Sequence, residues 1–94
     1  MDYSFEWDSL KAETNLKKHG VSFEEASTVF YDTTALEMSD ERHSRDETRW
    51  ILLGSSFANR LLVVIFTLRD GKIRIISARS ASKKERKRYE KSDS

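Results

Sequence analysis

The sequence predicts an α+β fold, with helices packed on one face of a twisted, mainly antiparallel sheet. Three observations carry this expectation. Two short amphipathic stretches with capping residues fall early in the 94-residue chain. Apolar and alternating runs follow, two of them joined by Asp70-Gly71. A third capped stretch then starts at Ser82. Helices, then a meander, then a closing helix is a pattern that buries a sheet face under helices.

Tyr3-Ser-Phe-Glu-Trp7 alternates aromatic with polar residues and reads as a short strand. Asp8 is placed to N-cap a helix whose Leu10, Ala12 and Leu16 share one side and which runs to His19. Gly20 stands where a left-handed C-cap residue is needed, and Val21 supplies the hydrophobic contact after it. Ser22-Phe-Glu-Glu25 has capping-box spacing, with Glu25 reaching back to the helix start. Phe23, Ala26, Val29 and Phe30 form the apolar stripe of this second helix, which ends near Asp32. Thr33 to Met38 is a candidate strand, and the polar stretch from Ser39 to Glu47 a loop. Arg49 to Leu53 is a strand stopped by Gly54-Ser-Ser56. Leu61 to Leu68 is apolar on both faces except at Thr67, which marks a central strand. Asp70-Gly71 is a strong hairpin turn, and Ile73 to Ala78 returns antiparallel. Ser82-Lys-Lys-Glu85 repeats the capping box and opens a basic helix to about Glu90, leaving Lys91 to Ser94 as a frayed tail. The expected order is β-α-α-β-β-β-β-α, in a single domain spanning residues 1–94.

Composition excludes several function classes. Cysteine is absent, so there is no disulfide framework and no thiolate chemistry. Proline is absent too, and ten aromatic residues argue against disorder. No apolar run approaches the ~18 residues of a membrane span. Met1 to Trp7 is acidic and aromatic, unlike a secretory signal, so a cytoplasmic location is expected. The two histidines, His19 and His43, make no metal-binding spacing, and phosphate-loop, dinucleotide-binding and nucleophile-elbow motifs are missing. No cofactor is expected.

The net charge of +1 hides a division. Residues 1–47 carry five basic and twelve acidic side chains, net −7, whereas residues 48–94 carry twelve basic and four acidic, net +8. Such asymmetry fits a nucleic-acid surface or a charge-matched protein partner, and equally fits helices and strands with differently charged solvated faces. Arg49, Arg60, Arg74 and Arg79 fall in or at the ends of expected strands, while Lys83, Lys84, Arg86, Lys87 and Arg88 crowd the last helix with Tyr89. Arginine matches phosphate in a bidentate way. Arg74, flanked by Ile73 and Ile75, faces away from them, toward a ligand or simply toward solvent. Arg79 sits at a strand-to-helix corner, where it meets a ligand or pairs with Glu85. Tyr89 either stacks on a base or anchors the last helix. Trp7 and Trp50 read as core residues, His19 as a partner of a helix C-terminus, and His43 as the histidine with more freedom to act.

The chain resembles the BrnT family of toxins. The residues that carry this are Phe5-Glu-Trp-Asp8, Lys11, Asn15, Lys18-His-Gly-Val-Ser-Phe-Glu-Glu-Ala26 and Phe30. They continue with His43-Ser44, Glu47, Arg49-Trp50, Gly54, Ser56, Arg60-Leu61, Val63-Val64 and Thr67, then Ile73-Arg-Ile-Ile-Ser-Ala-Arg79, Glu85-Arg86 and Tyr89-Glu90. Asp32-Thr33 stands where the family usually has Asp-Pro, and Arg45-Asp46 where a glycine is common. The resemblance implies a RelE-like fold and a bacterial ribonuclease toxin of a type II toxin–antitoxin system. It implies a BrnA-type ribbon-helix-helix antitoxin as partner, in a heterotetramer that binds operator DNA through the antitoxin. It also implies metal-independent RNA cleavage, with the substrate's own 2′-OH as nucleophile. Such chemistry needs a base, charge stabilisation on phosphate, and protonation of the leaving oxygen. Under this resemblance Arg79 and Arg49 stabilise the phosphate and Glu47 or His43 is the base. Tyr89 stacks or helps with protons, while Arg60, Arg74, Lys83, Lys84 and Arg86 bind RNA. The competing readings are a non-catalytic RNA- or ribosome-binding module and a DNA-binding regulator.

Overall fold

The computed structural model describes residues 2–43 and 45–92. Met1, Ser44 and the last two positions of the expected tail lie outside the described residues. The elements are β1 (Phe5–Glu6), α1 (Ser9–His19), α2 (Phe23–Thr28), β2 (Leu36–Ser39), β3 (Arg49–Ser55), β4 (Leu61–Arg69), β5 (Lys72–Ser80) and α3 (Lys83–Ser92). This is the expected α+β order. One five-stranded sheet runs β1-β5-β4-β3-β2, with β1 parallel to β5 and every other pair antiparallel.

Local chemistry explains the boundaries. The Asp8 carboxylate accepts from the Leu10 and Lys11 N–H groups at 2.8 and 3.1 Å, capping α1. Gly20 closes α1 at φ 69°, a left-handed conformation. Ser22 caps α2 by accepting from the Glu25 N–H at 3.0 Å. The expected reciprocal contact is not made there, because the Glu25 side chain is taken by Arg60 and Ser56 instead. At α3 both halves of the capping box form: Ser82 Oγ accepts from the Glu85 N–H, and Glu85 accepts from the Ser82 N–H. Helix α3 continues through Lys91 and Ser92, beyond the expected end at Glu90.

Several strand boundaries differ from expectation: β1 pairs over Phe5–Glu6 alone and not over Tyr3 to Trp7, and β5 extends from Lys72 to Ser80, past the expected Ile73 to Ala78. Strand β2 starts at Leu36, not Thr33, because Asp32 Oδ1 accepts from the Thr34 N–H and hydroxyl and turns the chain there. Strand β3 runs on through Gly54 and Ser55. Gly54 is not a strand stop. A Cβ there would lie 2.8 Å from Ala35 Cβ and 2.9 Å from Val29 Cγ1, so the glycine permits close approach of the chain that follows α2. The β4–β5 turn is as expected, with Asp70 at φ 52° and Gly71 at φ 76°.

The sheet has two differently covered faces. On one, Val21, Phe23, Ala26 and Val29 pack against Leu52, Leu62, Val64, Phe66, Ile73, Ile75 and Ala78. Helices α1 and α2 cover this face, whereas α3, expected on the same side, packs on the other. On the other, Leu53, Leu61 and Val63 form a smaller cluster, joined by Tyr89 of α3 and by Leu36, Ile51 and Ile65. The third helix therefore lies across one end of the second face and leaves the rest open. It buries none of its own residues fully, so few apolar contacts fix it.

Asn15 ties α1 to the sheet. Its side chain is buried, donates to the Val21 and Ala78 carbonyls at 2.9 and 2.8 Å, and accepts from the Ala78 N–H at 3.1 Å. Substitution Asn15→Leu strands these buried groups and is expected to cost about 3 kcal/mol. Urea unfolding measures this, and an unchanged midpoint would refute the assigned role.

Candidate active site

Residues directly opposite one another on paired strands share a face. Arg79 opposes Val63, Val63 opposes Leu53, and Leu53 opposes Leu36. The next row is Ser77, Ile65, Ile51 and Met38. The third row is Glu6, Arg74, Thr67 and Arg49. All three rows lie on the face that α1 and α2 leave uncovered. Arg79 marks one end of an apolar floor, and Arg74 and Arg49 mark the other. Val63 and Thr67, their neighbours on β4, are four residues apart, roughly 13 Å along the strand.

A bulge makes this alignment possible. Arg74 and Arg79 are five residues apart, an odd spacing that would put them on opposite faces of a regular strand. Ile65 opposes Ser77 whereas Phe66 opposes Ile75, so Ile76 is an extra residue on β5. The extra residue restores parity. It keeps Ile75 and Ala78 in the core and turns both arginines to the open face.

Each candidate side chain has defined surroundings. The Arg79 guanidinium meets Glu85 in a fork, Nη1 and Nη2 each donating at 2.8 Å to separate oxygens. Arg79 holds the Glu85 carboxyl down to about 2, and Glu85 in turn raises Arg79 above its ordinary value. Beside them a cleft of about 120 Å³ is lined by Met38, Ile51, Leu53, Val63 and Ile65, with Arg88 at its edge. Arg74 pairs with Glu6 across the β1–β5 contact at 3.0 Å. Arg49 lines a second cleft, of about 430 Å³, together with Arg42, His43, Arg45, Asp46 and Glu47. There His43 Nδ1 lies 3.1 Å from both Asp40 carboxylate oxygens, and Glu47 accepts from Arg69 at 3.1 Å. The fold thus gathers His43, Glu47 and Arg49 in one cleft and sets Arg79 in another on the same face.

Two expected site residues serve the scaffold. Arg60 donates through Nε and Nη2 to Glu25 and through Nη2 to the Gly20 carbonyl, clamping β4 to the α1–α2 turn. Its hydrogen bonds lower the Glu25 carboxyl, aided by the Ser56 hydroxyl and then by the guanidinium charge. Tyr89 donates to Asp32 Oδ2 at 2.6 Å and packs on the Leu53 cluster, so it anchors α3. Burial pushes the Asp32 carboxyl up, but bonds from the Ser55 N–H, Tyr89 and Thr34 outweigh this and hold it below its ordinary value. Lys83, Lys84 and Arg86 are exposed on α3.

Arg88 was not singled out as a site residue by sequence. Its signal was helical spacing: Glu85, Arg88 and Tyr89 are three and four residues apart, so they share the sheet-facing side of α3. Among the described residues no three His, Asp or Glu side chains cluster as a metal site would require, and no helix is long and apolar enough to cross a membrane.

The lowered carboxyls of Glu85, Glu25 and Asp32 link stability to acid. A depressed folded-state value contributes stability above the unfolded value, and that stability is lost as pH falls through the folded one. The urea midpoint is expected to fall between about pH 5 and about pH 2, and less steeply in Arg79→Met. An identical acid slope in the variant would contradict the Arg79–Glu85 coupling.

Residues 7–85 match the family described as ribonuclease toxin, BrnT, of type II toxin–antitoxin system. No curated protein sequence gives a significant match. Among solved structures, the 1.1 Å crystal structure of the Brucella abortus ribonuclease toxin BrnT aligns with a TM-score of 0.66 and 25% identity. That alignment covers 87% of this chain and 100% of that one. With most of its length matched, and with the same fold as a BrnT crystal structure, this chain belongs to the BrnT family of ribonuclease toxins of type II toxin–antitoxin systems.

Proposed function

We propose that this chain is a metal-independent endoribonuclease toxin whose cutting of RNA inhibits translation. The observation that carries this is the sharing of one uncovered sheet face by Arg49, Arg74 and Arg79. An RNA strand laid across that face meets arginines at both ends of an apolar floor. The 2′-OH of one nucleotide gives its proton to a base and attacks the adjacent phosphorus, and the 5′-oxygen of the next nucleotide leaves and takes a proton from solvent, giving a 2′,3′-cyclic phosphate. Negative charge grows on the phosphate as attack proceeds. Arg49, with Arg74 in support, stabilises it on the side of His43, while Arg79 at the other end of the floor holds a further phosphate of the same strand; arginine suits both tasks because it keeps its charge and matches two phosphate oxygens.

His43 is favoured over Glu47 as the base. Asp40 faces its Nδ1, which leaves Nε2 to take a proton. Glu47 is engaged by Arg69. Lys83, Lys84 and Arg86 add a salt-sensitive attraction for the strand. Tyr89 acts through the placement of α3, and Arg60 through the α1–α2 clamp.

The partner in this reading is a BrnA-type ribbon-helix-helix antitoxin, forming a heterotetramer that represses its own operon by binding operator DNA. An antitoxin that covers the open face blocks the arginines directly. Support for the partner is the family's place in type II toxin–antitoxin systems.

Purified chain incubated with labelled RNA in excess EDTA is expected to yield fragments ending in 2′,3′-cyclic phosphate. Retention of intact RNA without cleavage would favour a non-catalytic binding module. Arg79→Ala and Arg49→Ala are each expected to lower kcat/KM by ~10²-fold. Wild-type rates in Arg79→Ala would remove that residue from the site.

A further inference from the structure

Arg79 carries five N–H donors in one rigid plane. Glu85 accepts one from Nη1 and one from Nη2, and the Ser80 carbonyl accepts another from Nη1 at 3.2 Å. Two donors remain: the Nε–H and the second Nη2 hydrogen. These lie parallel on one edge of the guanidinium, the edge that matches two oxygens of a phosphate. The Arg79 side chain is 46% exposed and lines the cleft over Ile51 and Ile65.

Glu85 is itself held in place. The oxygen that faces Nη1 also accepts the Ser82 main-chain N–H at 2.8 Å, a contact that does not involve the Ser82 hydroxyl. The first turn of α3 therefore fixes the carboxylate, and the carboxylate fixes the plane of the guanidinium. With its carboxyl held at about 2, Glu85 remains ionised at any pH at which RNA is handled.

We propose that Glu85 is a positioning residue, which through its forked contact orients Arg79 so that the free Nε/Nη2 edge receives one phosphate of the RNA strand. This rests on the reading of Arg79 as a phosphate-holding group. Phosphate and Glu85 occupy different edges, so the strand binds without displacing the carboxylate. Removing Glu85 frees a mobile cation that still attracts RNA and no longer holds the strand in the register that cleavage needs.

The test is Glu85→Gln, which keeps the shape and removes the charge and the fork. Single-turnover cleavage is expected to slow by on the order of 10²-fold while KM stays level or falls. Ser82→Ala removes the hydroxyl cap and leaves the fork, so it is expected to cleave at close to the wild-type rate. A faster Glu85→Gln enzyme would show that Glu85 competes with phosphate, and an unchanged one that it does nothing; either overturns the proposal. An equal loss in Ser82→Ala would reduce Glu85 to a helix cap and also overturn it. A second readout needs no turnover. The Arg79 Nε–H resonance is expected to shift when an uncleavable 2′-O-methyl oligoribonucleotide is added to the wild type, and not in Glu85→Gln. Equal shifts in both, or none in the wild type, would overturn the proposal. A wild-type chain that shows the shift and cuts no unmodified RNA would instead sink the ribonuclease reading and leave the role of Glu85 supported.

Discussion

The extra residue at Ile76 is the constraint on which the open face depends. A strand alternates its side chains strictly, so every residue of β5 has its face assigned by counting from the core. Ile73 and Ile75 must be buried at one end, and Ala78 must be buried where Asn15 holds its main chain at the other. Those demands are out of phase by one residue. The bulge between Ile75 and Ser77 reconciles them, and the same step places Arg74 and Arg79 together. Core packing and the arginine arrangement are satisfied by one local irregularity.

Part of the charge division along the chain has an internal explanation. Glu6 pairs with Arg74, Glu25 with Arg60 and Glu47 with Arg69, in each case an acid from the first half with an arginine from the second. These pairs join β1 to β5, α2 to the start of β4, and the polar loop to the end of β4. They are partly exposed contacts, so they fix geometry more than they add stability. The basic helix α3 is a different case. Its lysines remain exposed, and it is attached through Glu85 at one end and Tyr89 near the other. The two contacts bracket the cleft beside Arg79, so the seating of α3 and the geometry of that cleft are coupled.

Much of the fold was legible because its signals are local. Asp8, Gly20, Ser22, Ser82 and the Asp70-Gly71 turn each announce an element boundary through backbone chemistry that needs no tertiary partner. Where distant contacts decide, the sequence is silent or misleading. Gly54 looks like a strand stop and is instead the point where Ala35 and Val29 press on the sheet. Glu25 has the spacing to close a capping box, but Arg60, 35 residues away, takes its carboxylate. The arginines were legible as a class, since their residue type matches phosphate. Their grouping was not, because it depends on strand register and on a bulge that a continuous Ile-Arg-Ile-Ile run conceals. His43 and Glu47 were found together in a polar loop, and the structure adds the Asp40 and Arg69 contacts that tell them apart.

RNA is proposed to occupy the sheet face bearing Arg49, Arg74 and Arg79. A crystal structure of the chain with an uncleavable 2′-O-methyl oligoribonucleotide tests this most directly. A strand is expected to cross the Ile51–Ile65 floor, with one phosphate on the Nε/Nη2 edge of Arg79 and another beside Arg49. A strand bound against α1 and α2, or along α3 lysines with both arginines untouched, would contradict it.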